Sequence, residues 1–466
     1  MNLRLTDVAL WTKGALHGAD VATSGAAVTG IFTDTRKPVA GGLFVALKGE
    51  NFDAHDFLAQ AKHGGAAAAL VARPVAVDLP QVVVADTLLA LGDLASAVRA
   101  QRRARVAGIT GSNGKTTVKT LLASILSVCG KTHVNAGNLN NEIGLPLSIL
   151  SMPEDAQFAV LEMGAGKPGD IEYLAGVARP EIALVNNIGP AHLERMGSLE
   201  GIAQTKGAIY AALPAHGTAV INADDAFADY FTGVAGTRRV LRFGLEHAAD
   251  VRAEIRSVGN ESHFDLVAPS GRVGVNLPLA GRHNVMNALA AAALALAFDA
   301  PLDAIRRGLE SAPAVAGRLS RHAMPGGWTL IDDSYNANPG STAAAIATLA
   351  GETASTGSGE AWLVLGDMRE LGPDAAALHA RTGALAREQG IARLYAVGEM
   401  SAHAATAFGS GARHFASQQE LIAALVADAH AGVTLLIKGS RGSAMDRVVQ
   451  ALLGDGNRDG GRRHVA

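Results

Sequence analysis

The chain has 466 residues, 48% of them hydrophobic, and its formal net charge at neutral pH is −3. This length exceeds what a single hydrophobic core serves, so we expect two to four domains. The composition excludes a disordered or fibrous chain, and the near-neutral charge argues against a nucleic-acid-binding protein.

No N-terminal apolar stretch resembles a signal peptide. The longest apolar run, "ALAAAALALAF" at 288–298, is too short to span a bilayer and predicts a buried helix. The single cysteine, Cys129, falls on the apolar face of a predicted helix, which predicts a buried thiol, and it cannot form an internal disulfide. We therefore expect a cytoplasmic protein that contacts neither membrane nor nucleic acid.

Short apolar runs alternate with longer Ala- and Leu-rich segments along the whole chain, which favours an α/β architecture with mostly parallel sheets. In chain order the predicted strands are GLFVAL, QVVVAD, RVAGIT, FAVLEMG, IALVNNIG, GTAVIN, TLIDDS, WLVLGD and TLLIKGS.

Three predicted domains follow from breaks in this pattern. Residues 1–83 carry strands but no phosphate-binding turn, residues 84–312 contain that turn, and residues 313–466 add further strand–helix units after the Pro- and Gly-containing segment 310–319. The Gly-, Ser- and Thr-rich segment 351–360 predicts a loop, and the last residues, from 454 onward, predict a frayed tail. A basic cluster at 99–105 is either a solvated linker or helix end, or a functional patch.

A glycine-rich turn within "RVAGITGSNGKTT" joins a predicted strand to a predicted helix that starts at Lys115. Backbone N–H groups of Gly111, Ser112, Asn113 and Gly114 at such a junction point towards an anion, and the helix dipole favours negative charge there. Lys115 would add a cation for the β- and γ-phosphates, and the Thr116 hydroxyl can ligate Mg²⁺. The strict phosphate-loop pattern fails by one residue, because glycines stand at 108 and 111 and not at 109. The alternative is a turn with no ligand.

Glu162 ends the predicted strand "FAVLE". A carboxylate at the carboxyl end of a parallel strand faces the crevice where α/β proteins bind ligands, so Glu162 could hold the magnesium of a nucleotide together with Thr116. A plain surface carboxylate is the alternative.

Several motifs together resemble the Mur ligase family, the ATP-dependent amide ligases of peptidoglycan precursor synthesis. The resemblance covers nearly the whole chain. It rests on TGSNGKTT, FTDTRKPVAGGLFVALKGENFDAHDF, GNLNNEIGLP, LEMGAGKPGDI, NNIGPAHLERMGSLEGIAQTKGAI, GRHNVMNALAA, DDSYNANP, LGDMRELG and KGSRGSAM.

Within that family the motifs resemble the member that joins D-alanyl-D-alanine to UDP-N-acetylmuramoyl-tripeptide. The resemblance implies an N-terminal UDP-substrate-binding domain, a central ATP-binding domain and a C-terminal Rossmann-like domain for the incoming amine. It implies ATP and two Mg²⁺ ions as cofactors, and an acyl-phosphate intermediate. A monomer is expected only because nothing indicates otherwise.

The resemblance also assigns roles to individual residues. Lys206 resembles the lysine that family members carry as a carbamate, His192 a ligand of a second Mg²⁺, and Arg318 a γ-phosphate contact from across a cleft. The implied nucleotide-binding residues are Gly111, Ser112, Asn113, Gly114, Lys115, Thr116, Thr117, Asn284, Asn287, Arg318, Asp333 and Tyr335. The implied metal ligands are Thr116, Glu162, His192 and Lys206.

Two segments resemble the UDP-peptide site of the family. The implied contacts are Asp34, Thr35, Arg36, Lys48, Gly49, Asn138, Asn140, Asn141 and Glu142. Ser440 and Arg441 are assigned to a cleft-facing strand end of the last domain. For Asn284, helix capping is a compatible alternative role, and the asparagine-rich segment could equally be turn chemistry.

Three alternatives stay open at this point. The chain could be a related family member that adds a single amino acid, although the D-N-P-[RK] amino-acid reader of that enzyme is absent from the sequence. It could be a ligase resembling folylpolyglutamate synthetase. It could also be a regulatory or scaffold protein that kept the fold and lost the chemistry.

Overall fold

The computed structural model describes residues 2–18, 27–50, 52–313, 315–356 and 359–454; the predicted tail beyond 454 lies outside them. Three α/β units follow one another along the chain, each with its own mostly parallel sheet. The predicted α/β class is therefore confirmed. The predicted boundaries after residues 83 and 312 fall between the sheets and stay predictions.

The first unit is a five-stranded sheet in the order β2-β7-β6-β5-β4, in which only the β2–β7 pair is antiparallel. Its strands are β2 (Ala15–His17), β4 (Ile31–Phe32), β5 (Leu43–Val45), β6 (Ala68–Val71) and β7 (Gln81–Val83), and β1 (Leu3–Arg4) pairs with β3 (Ala27–Val28) beside it. The helices are α1 (Leu5–Trp11), a 3-10 turn (Ala54–Phe57) and α2 (Leu58–His63). Helix α3 (Thr87–Ala100) connects this unit to the next.

The central unit is a nine-stranded sheet in the order β16-β15-β14-β13-β12-β11-β8-β10-β9. The strands are β8 (Arg105–Thr110), β9 (Thr132–Val134), β10 (Phe158–Glu162), β11 (Ile182–Val185), β12 (Thr218–Asn222), β13 (Arg239–Gly244), β14 (Val251–Val258), β15 (Ser262–Ala268) and β16 (Gly271–Leu277). Only the last two pairings, β14–β15 and β15–β16, are antiparallel. The strand order reverses around β8, and ligands of open α/β sheets bind beyond the carboxyl end of such a strand.

Helices cover both faces of the central sheet. They are α4 (Lys115–Cys129), α5 (Gly144–Leu150), α6 (Asp170–Ala178), α7 (Leu193–Met196), α8 (Leu199–Ala211), α9 (Ala228–Ala235), α10 (Arg282–Ala297) and α11 (Leu302–Glu310). Helix α10 contains the alanine-rich run and is almost wholly buried, as predicted. Alanine side chains let this helix approach the sheet and α4 closely.

The third unit is a six-stranded sheet in the order β17-β18-β22-β19-β20-β21, in which only the β17–β18 pair is antiparallel. Its strands are β17 (Ser320–Met324), β18 (Trp328–Asp333), β19 (Glu360–Gly366), β20 (Arg393–Val397), β21 (Ala412–Phe415) and β22 (Val433–Lys438). Its helices are α12 (Pro339–Thr356), α13 (Ala375–Glu388), α14 (Ser401–Phe408), α15 (Gln418–Asp428) and α16 (Asp446–Leu452), with 3-10 turns at Gly372–Asp374 and Arg441–Ser443.

Two local predictions were wrong. Cys129 is exposed, because it is the last residue of α4 and the apolar face of that helix has already left the core. Residues 351–356 are helical and not a loop, since α12 continues to Thr356; residues 357–358 lie outside the described residues. Glu352 pairs with Arg321 of β17, which holds the last turns of α12 against the sheet.

The basic cluster at 99–105 makes contacts within the fold. Arg99 is buried and donates to the carbonyl of Ala178 at 2.9 Å and to Glu181 at 3.3 Å. Arg105 pairs with Asp299 at 3.0 Å. These contacts attach the end of α3 to the central unit. The start of the cluster is thus a helix end, as one of the alternatives had it, although Arg99 is buried and not solvated.

Among the described residues, no helix combines the length and the apolar character that crossing a membrane requires.

The close packing of α11 on α4 can be tested at Gly308. A Cβ added there would lie 2.3 Å from the Ile125 Cα atom, a backbone atom that cannot move aside cheaply. We expect Gly308→Ala to lower the free energy of unfolding by about 1–3 kcal/mol, measured from the midpoint of urea-induced unfolding. The control is Gly176→Ala in α6, where nothing lies within 4 Å and alanine should stabilise the helix by about 1 kcal/mol. A Gly308→Ala midpoint equal to or above wild type would contradict this packing.

Candidate active site

The glycine-rich turn wraps around the ammonium group of Lys115. Strand β8 ends at Thr110, helix α4 starts at Lys115, and Lys115 Nζ donates to the Gly111 carbonyl at 2.7 Å. Gly111 and Gly114 have φ angles of 141° and 79°, which residues with a side chain rarely adopt. The turn therefore has the strand–loop–helix geometry that the sequence predicts.

Three asparagines hold this turn in place from outside it. Asn186, just after β11, donates to the Asn113 carbonyl at 2.9 Å and to Asn287 Oδ1 at 3.0 Å. Asn187 Oδ1 accepts from Asn113 N at 2.9 Å. A Cβ on Gly114 would lie 2.4 Å from Asn287 Oδ1, so this position has room only for glycine.

Glu162 ends β10, as predicted, and its carboxylate is buried beside the turn. Its Oε2 accepts from Thr116 Oγ1 at 2.9 Å and lies 3.2 Å from Lys119 Nζ; its Oε1 accepts from Asn140 Nδ2 at 3.0 Å. Burial alone would raise the pKa of Glu162, but Lys119 and Lys115 outweigh it and hold that pKa below its usual value. The carboxylate is therefore charged at neutral pH.

Lys206 is the most deeply buried lysine near the turn, with 1% of its surface exposed. Burial, and then the nearby charge of Lys115, lower the pKa of Lys206 to about 7, while Asp170 opposes the shift. A substantial fraction of this amine is therefore neutral, and nucleophilic, near neutral pH.

His192 lies between the central and the third unit. Its Nδ1 pairs with the carboxylate of Glu370, which comes from the loop after β19. Burial lowers the pKa of His192; Glu370 opposes that shift, and the cations Lys206 and Lys115 add to it.

The third unit contributes further groups to the same place. Arg318 donates to Thr116 Oγ1 at 2.9 Å, and its guanidinium lies 4.4 Å from the centre of the Tyr335 ring. Asn338 donates to Asn113 Oδ1 at 2.8 Å. The glycine-rich turn is thus contacted from the third unit as well as from its own.

Asp333 ends β18 and pairs with Lys438 of the neighbouring strand β22. Burial raises the pKa of Asp333, and Lys438 opposes that shift. Lys438 also donates to the Asn336 carbonyl at 3.0 Å, so it fixes both the acid and the segment that follows it.

Asn284 and Asn287 lie in the first turns of α10. Asn284 donates to the Ala280 carbonyl at 2.7 Å and accepts from Asn287 Nδ2 at 3.1 Å. Gly281, and not Asn284, is the residue that precedes the helix. The two amides therefore lie side by side, whereas the alternative capping role of Asn284 is absent.

One cavity of about 1350 Å³ gathers most of the predicted residues between the central and third units. Those that line it are Ser112, Asn113, Gly114, Lys115, Thr117, Asn138, Asn140, Asn141, Glu142, Glu162, His192, Asn284, Asn287, Arg318, Asp333, Tyr335 and Arg441. Gly111 and Thr116 sit immediately behind this lining through their contacts with Lys115 and Glu162. Lys206 lies behind it too, close enough to act on the pKa of His192. Ser440 is buried and bonded to the Asp367 carbonyl, outside the lining.

The predicted contacts of the first unit do not line this cavity. Asp34, Thr35 and Arg36 follow the carboxyl end of β4, and Lys48 and Gly49 follow that of the adjacent strand β5. Asp34 and Arg36 form an exposed ion pair at 2.8 Å. These two segments share one sheet edge, separate from the nucleotide end of the cavity.

Several residues of the site escaped the sequence analysis. Lys119 stands at an ordinary position of a predicted helix. Lys438, Asn186 and Asn187 fall within predicted strands and quoted family motifs, but the sequence gives them no role of their own. Lys119 stands one helical turn after Lys115, which is the one signal that could have revealed it.

The cations beside the glycine-rich turn are not paired with carboxylates in the part of the chain that the structure describes. Within the described ranges no carboxylate lies within 4 Å of a terminal nitrogen of Lys115, Lys206 or Arg318. The Arg318 Nε atom is also buried without a hydrogen-bond partner. Such a site favours a ligand that carries several negative charges.

The distance between the side-chain oxygens of Thr116 and Glu162 can be compared with the geometry that a magnesium ion requires. Thr116 Oγ1 and Glu162 Oε2 lie 2.9 Å apart, close to the ~3 Å edge of an octahedron whose Mg–O bonds are about 2.1 Å. The described residues contain no group of three His, Cys, Asp or Glu side chains that could hold a metal alone. The residues therefore fit an ion that takes its remaining ligands from phosphate oxygens and water.

Comparisons with known proteins decide the family. The Mur ligase middle domain family matches residues 109–295, and the Mur ligase glutamate ligase domain family matches residues 317–441. The chain is 48% identical to the UDP-N-acetylmuramoyl-tripeptide–D-alanyl-D-alanine ligase of Escherichia coli, over 97% of this chain and 98% of that protein. The chain belongs to the Mur ligase family.

Solved Mur ligases share the whole fold. MurF from Acinetobacter baumannii superimposes with a TM-score of 0.91 at 35% identity, over 97% of this chain and 99% of that one. MurF from Thermotoga maritima, solved in complex with ADP, superimposes with a TM-score of 0.80 at 27% identity, over 91% and 97%. The predicted family is therefore confirmed.

The fit of the turn can be tested at Gly114. Because an added Cβ would press on Asn287 and Asn186, we expect Gly114→Ala to weaken binding of an ATP analogue at least about tenfold, measured by calorimetry. Gly390→Ala is the matched control: Gly390 has nearly the same φ, 80°, but nothing lies within 4 Å of the added atom. It should cost stability without changing nucleotide affinity. Equal affinity of the two variants would contradict the role given to the asparagines.

Proposed function

We propose that this Mur ligase joins D-alanyl-D-alanine to UDP-N-acetylmuramoyl-tripeptide, with conversion of ATP to ADP and phosphate. The observation that carries the proposal is the charge of Lys115 and Arg318 at the carboxyl end of β8, where neither cation is in contact with a carboxylate of the described residues. The names of the Escherichia coli and Acinetobacter baumannii relatives support the choice of substrates.

The first step brings two anions together. A carboxylate oxygen of the tripeptide attacks the γ-phosphorus, the bond from that phosphorus to the β–γ bridging oxygen breaks, and ADP leaves with the electron pair. Lys115 and Arg318 are placed to screen the approaching oxygens, so electrostatic stabilisation carries most of this step. The product is an acyl phosphate.

The second step forms the amide. The neutral amine of D-alanyl-D-alanine attacks the acyl carbon, a tetrahedral intermediate forms, and phosphate leaves as the amine loses its proton. The cleft shared by the central and third units keeps water from hydrolysing the acyl phosphate, because residues of both units enclose it.

We propose that Thr116 and Glu162 hold one Mg²⁺, and that His192 and a carbamate on Lys206 hold a second. Bound Mg²⁺ would neutralise phosphate charge and polarise the γ-phosphoryl group. The pKa of about 7 for Lys206 supports the carbamate, since only the neutral amine reacts with CO₂. The ring of His192 is oriented by Glu370, in the way that carboxylates orient metal-binding histidines.

The remaining predicted contacts are proposed as follows. Asn284 and Asn287 face the adenine, Asp333 accepts from the ribose hydroxyls, Tyr335 is a neighbour of the nucleotide, and the glycine-rich turn binds the phosphates. The segments at 34–36 and 48–49 bind the UDP group on the first unit, whereas the loop at 138–142 meets the peptide end in the cavity. The third unit receives the amine substrate.

We further propose three domains at 1–83, 84–312 and 313–466, a monomer, and a cytoplasmic location.

The rival functions are less well supported. Folylpolyglutamate synthase from Mycobacterium tuberculosis matches at 21% identity with a TM-score of 0.61, a likeness of fold alone. The same holds for the solved diaminopimelate-adding ligase, at 19% identity and 0.54. A scaffold that had lost its chemistry would have no need to keep Lys115 and Arg318 without a carboxylate in contact among the described residues.

Phosphate release tests the proposal directly. We expect release from Mg·ATP only when UDP-N-acetylmuramoyl-tripeptide and D-alanyl-D-alanine are both present, with the pentapeptide product seen by mass spectrometry. Lys115→Met should abolish both signals, because the cation that screens the phosphates is lost. Equal phosphate release from ATP alone, or product formed equally well with single amino acids, would refute the proposed substrates.

The carbamate predicts a specific pH dependence. Below a pH of about 7 the Lys206 amine becomes protonated and cannot take up CO₂, so kcat/KM should fall about tenfold per pH unit in that range. Labelled bicarbonate should give a carbamate signal in nuclear magnetic resonance spectra of wild type and none in Lys206→Ala, which should lose about 10–100-fold in activity. Undiminished product formation by Lys206→Ala would refute this role.

A further inference from the structure

Lys119 occupies a position that the proposed reaction does not use. It lies in α4, one turn beyond Lys115, with only 5% of its surface exposed. Its ammonium group is not aimed at the phosphate end of the cavity. It donates to the carbonyls of Asn135 at 3.0 Å and Gly137 at 3.2 Å, and it lies 3.2 Å from Glu162 Oε2.

These three acceptors belong to two different parts of the site. Glu162 shares its Oε2 between Lys119 and Thr116, at the nucleotide end. Asn135 and Gly137 lie at the start of the asparagine-rich segment 135–142. Asn140 of the same segment lines the cavity. Lys119 therefore donates to two backbone carbonyls of the segment and forms an ion pair with Glu162.

The segment 135–142 is attached to Glu162 by further bonds. Asn135 accepts from Glu162 N at 2.9 Å and donates to the Glu162 carbonyl at 3.0 Å, and Asn140 donates to Glu162 Oε1 at 3.0 Å. Asn135 is 1% exposed and Glu162 3%, so the network is shielded from water. Charge-assisted bonds in such a place are strong, and a missing partner is costly.

We propose that Lys119 is a positioning residue that couples the nucleotide end of the cavity to the segment 135–142, so that a bound nucleotide tightens binding of the UDP-peptide. The inference rests on the proposed function for the identity of that ligand. Through its Mg²⁺, a nucleotide would bind at Thr116 and Glu162 and stabilise the orientation in which Glu162 meets Lys119 and Asn140. Lys119 and Asn140 then hold the segment in the conformation that meets the peptide. Such coupling is reciprocal, so the UDP-peptide must tighten nucleotide binding by the same factor.

Calorimetry on the full chain tests the coupling. UDP-N-acetylmuramoyl-tripeptide is titrated into wild type with and without a saturating non-hydrolysable Mg·ATP analogue. We expect the analogue to tighten binding about 5–150-fold in wild type, and this ratio to fall to about one in Lys119→Met. Lys131→Met is the control: Lys131 also precedes the segment but forms an exposed pair with Asp155, so its ratio should equal that of wild type.

Hydrogen exchange of wild type provides a readout that does not depend on a folded variant. We expect the analogue alone to slow amide exchange in 135–142, and Lys119→Met to lose this slowing while 111–117 stay protected. A ratio in Lys119→Met equal to wild type, or no slowing of 135–142 in wild type, would overturn the inference. If wild type does not bind the UDP-peptide at all, the proposed function fails instead.

Discussion

Positive charge that the protein leaves unneutralised at the carboxyl end of β8 is the constraint on which the site depends. Lys115 and Arg318 find only carbonyls, a hydroxyl and an aromatic ring, and the pKa of Lys206 is low because burial and Lys115 disfavour another cation. Glu162 is kept as a charged carboxylate beside them, because Lys119 and Lys115 hold its pKa below the usual value. A polyanion therefore completes an electrostatic arrangement that the folded chain leaves open.

The second general feature is that this charge is assembled from separate units. Arg318 and Asn338 of the third unit contact Thr116 and Asn113 of the turn, and Glu370 contacts His192. All of these contacts would be lost if the third unit moved away from the central unit. The site is therefore complete only while the third unit contacts the central unit.

Much of this could be predicted from the sequence. The nine quoted apolar runs correspond to β5, β7, β8, β10, β11, β12, β18, β19 and β22, and the spacing of Gly111, Gly114 and Lys115 predicted the turn, since both signals are local. The paired placements of Asn186 with Asn287 and of Lys119 with Glu162 could not be predicted, because they depend on which strands become neighbours. The predictions for Cys129 and for residues 351–356 were wrong for a related reason. Helix periodicity does not tell at which residue the apolar face of a helix leaves the core. Nor does it tell that Arg321 contacts the end of α12. The pKa of Lys206 depends on burial, which no motif reports.

The central claim is that this charge lets the peptide carboxylate take the γ-phosphate before the amine arrives. ATP that carries a heavy-oxygen label in the bridge between its β- and γ-phosphates tests it most directly. With UDP-N-acetylmuramoyl-tripeptide present and D-alanyl-D-alanine absent, the account predicts that the label scrambles into the non-bridging positions of the β-phosphate, as ADP forms, rotates and re-forms ATP. No scrambling, under conditions in which the complete mixture turns over, would contradict it.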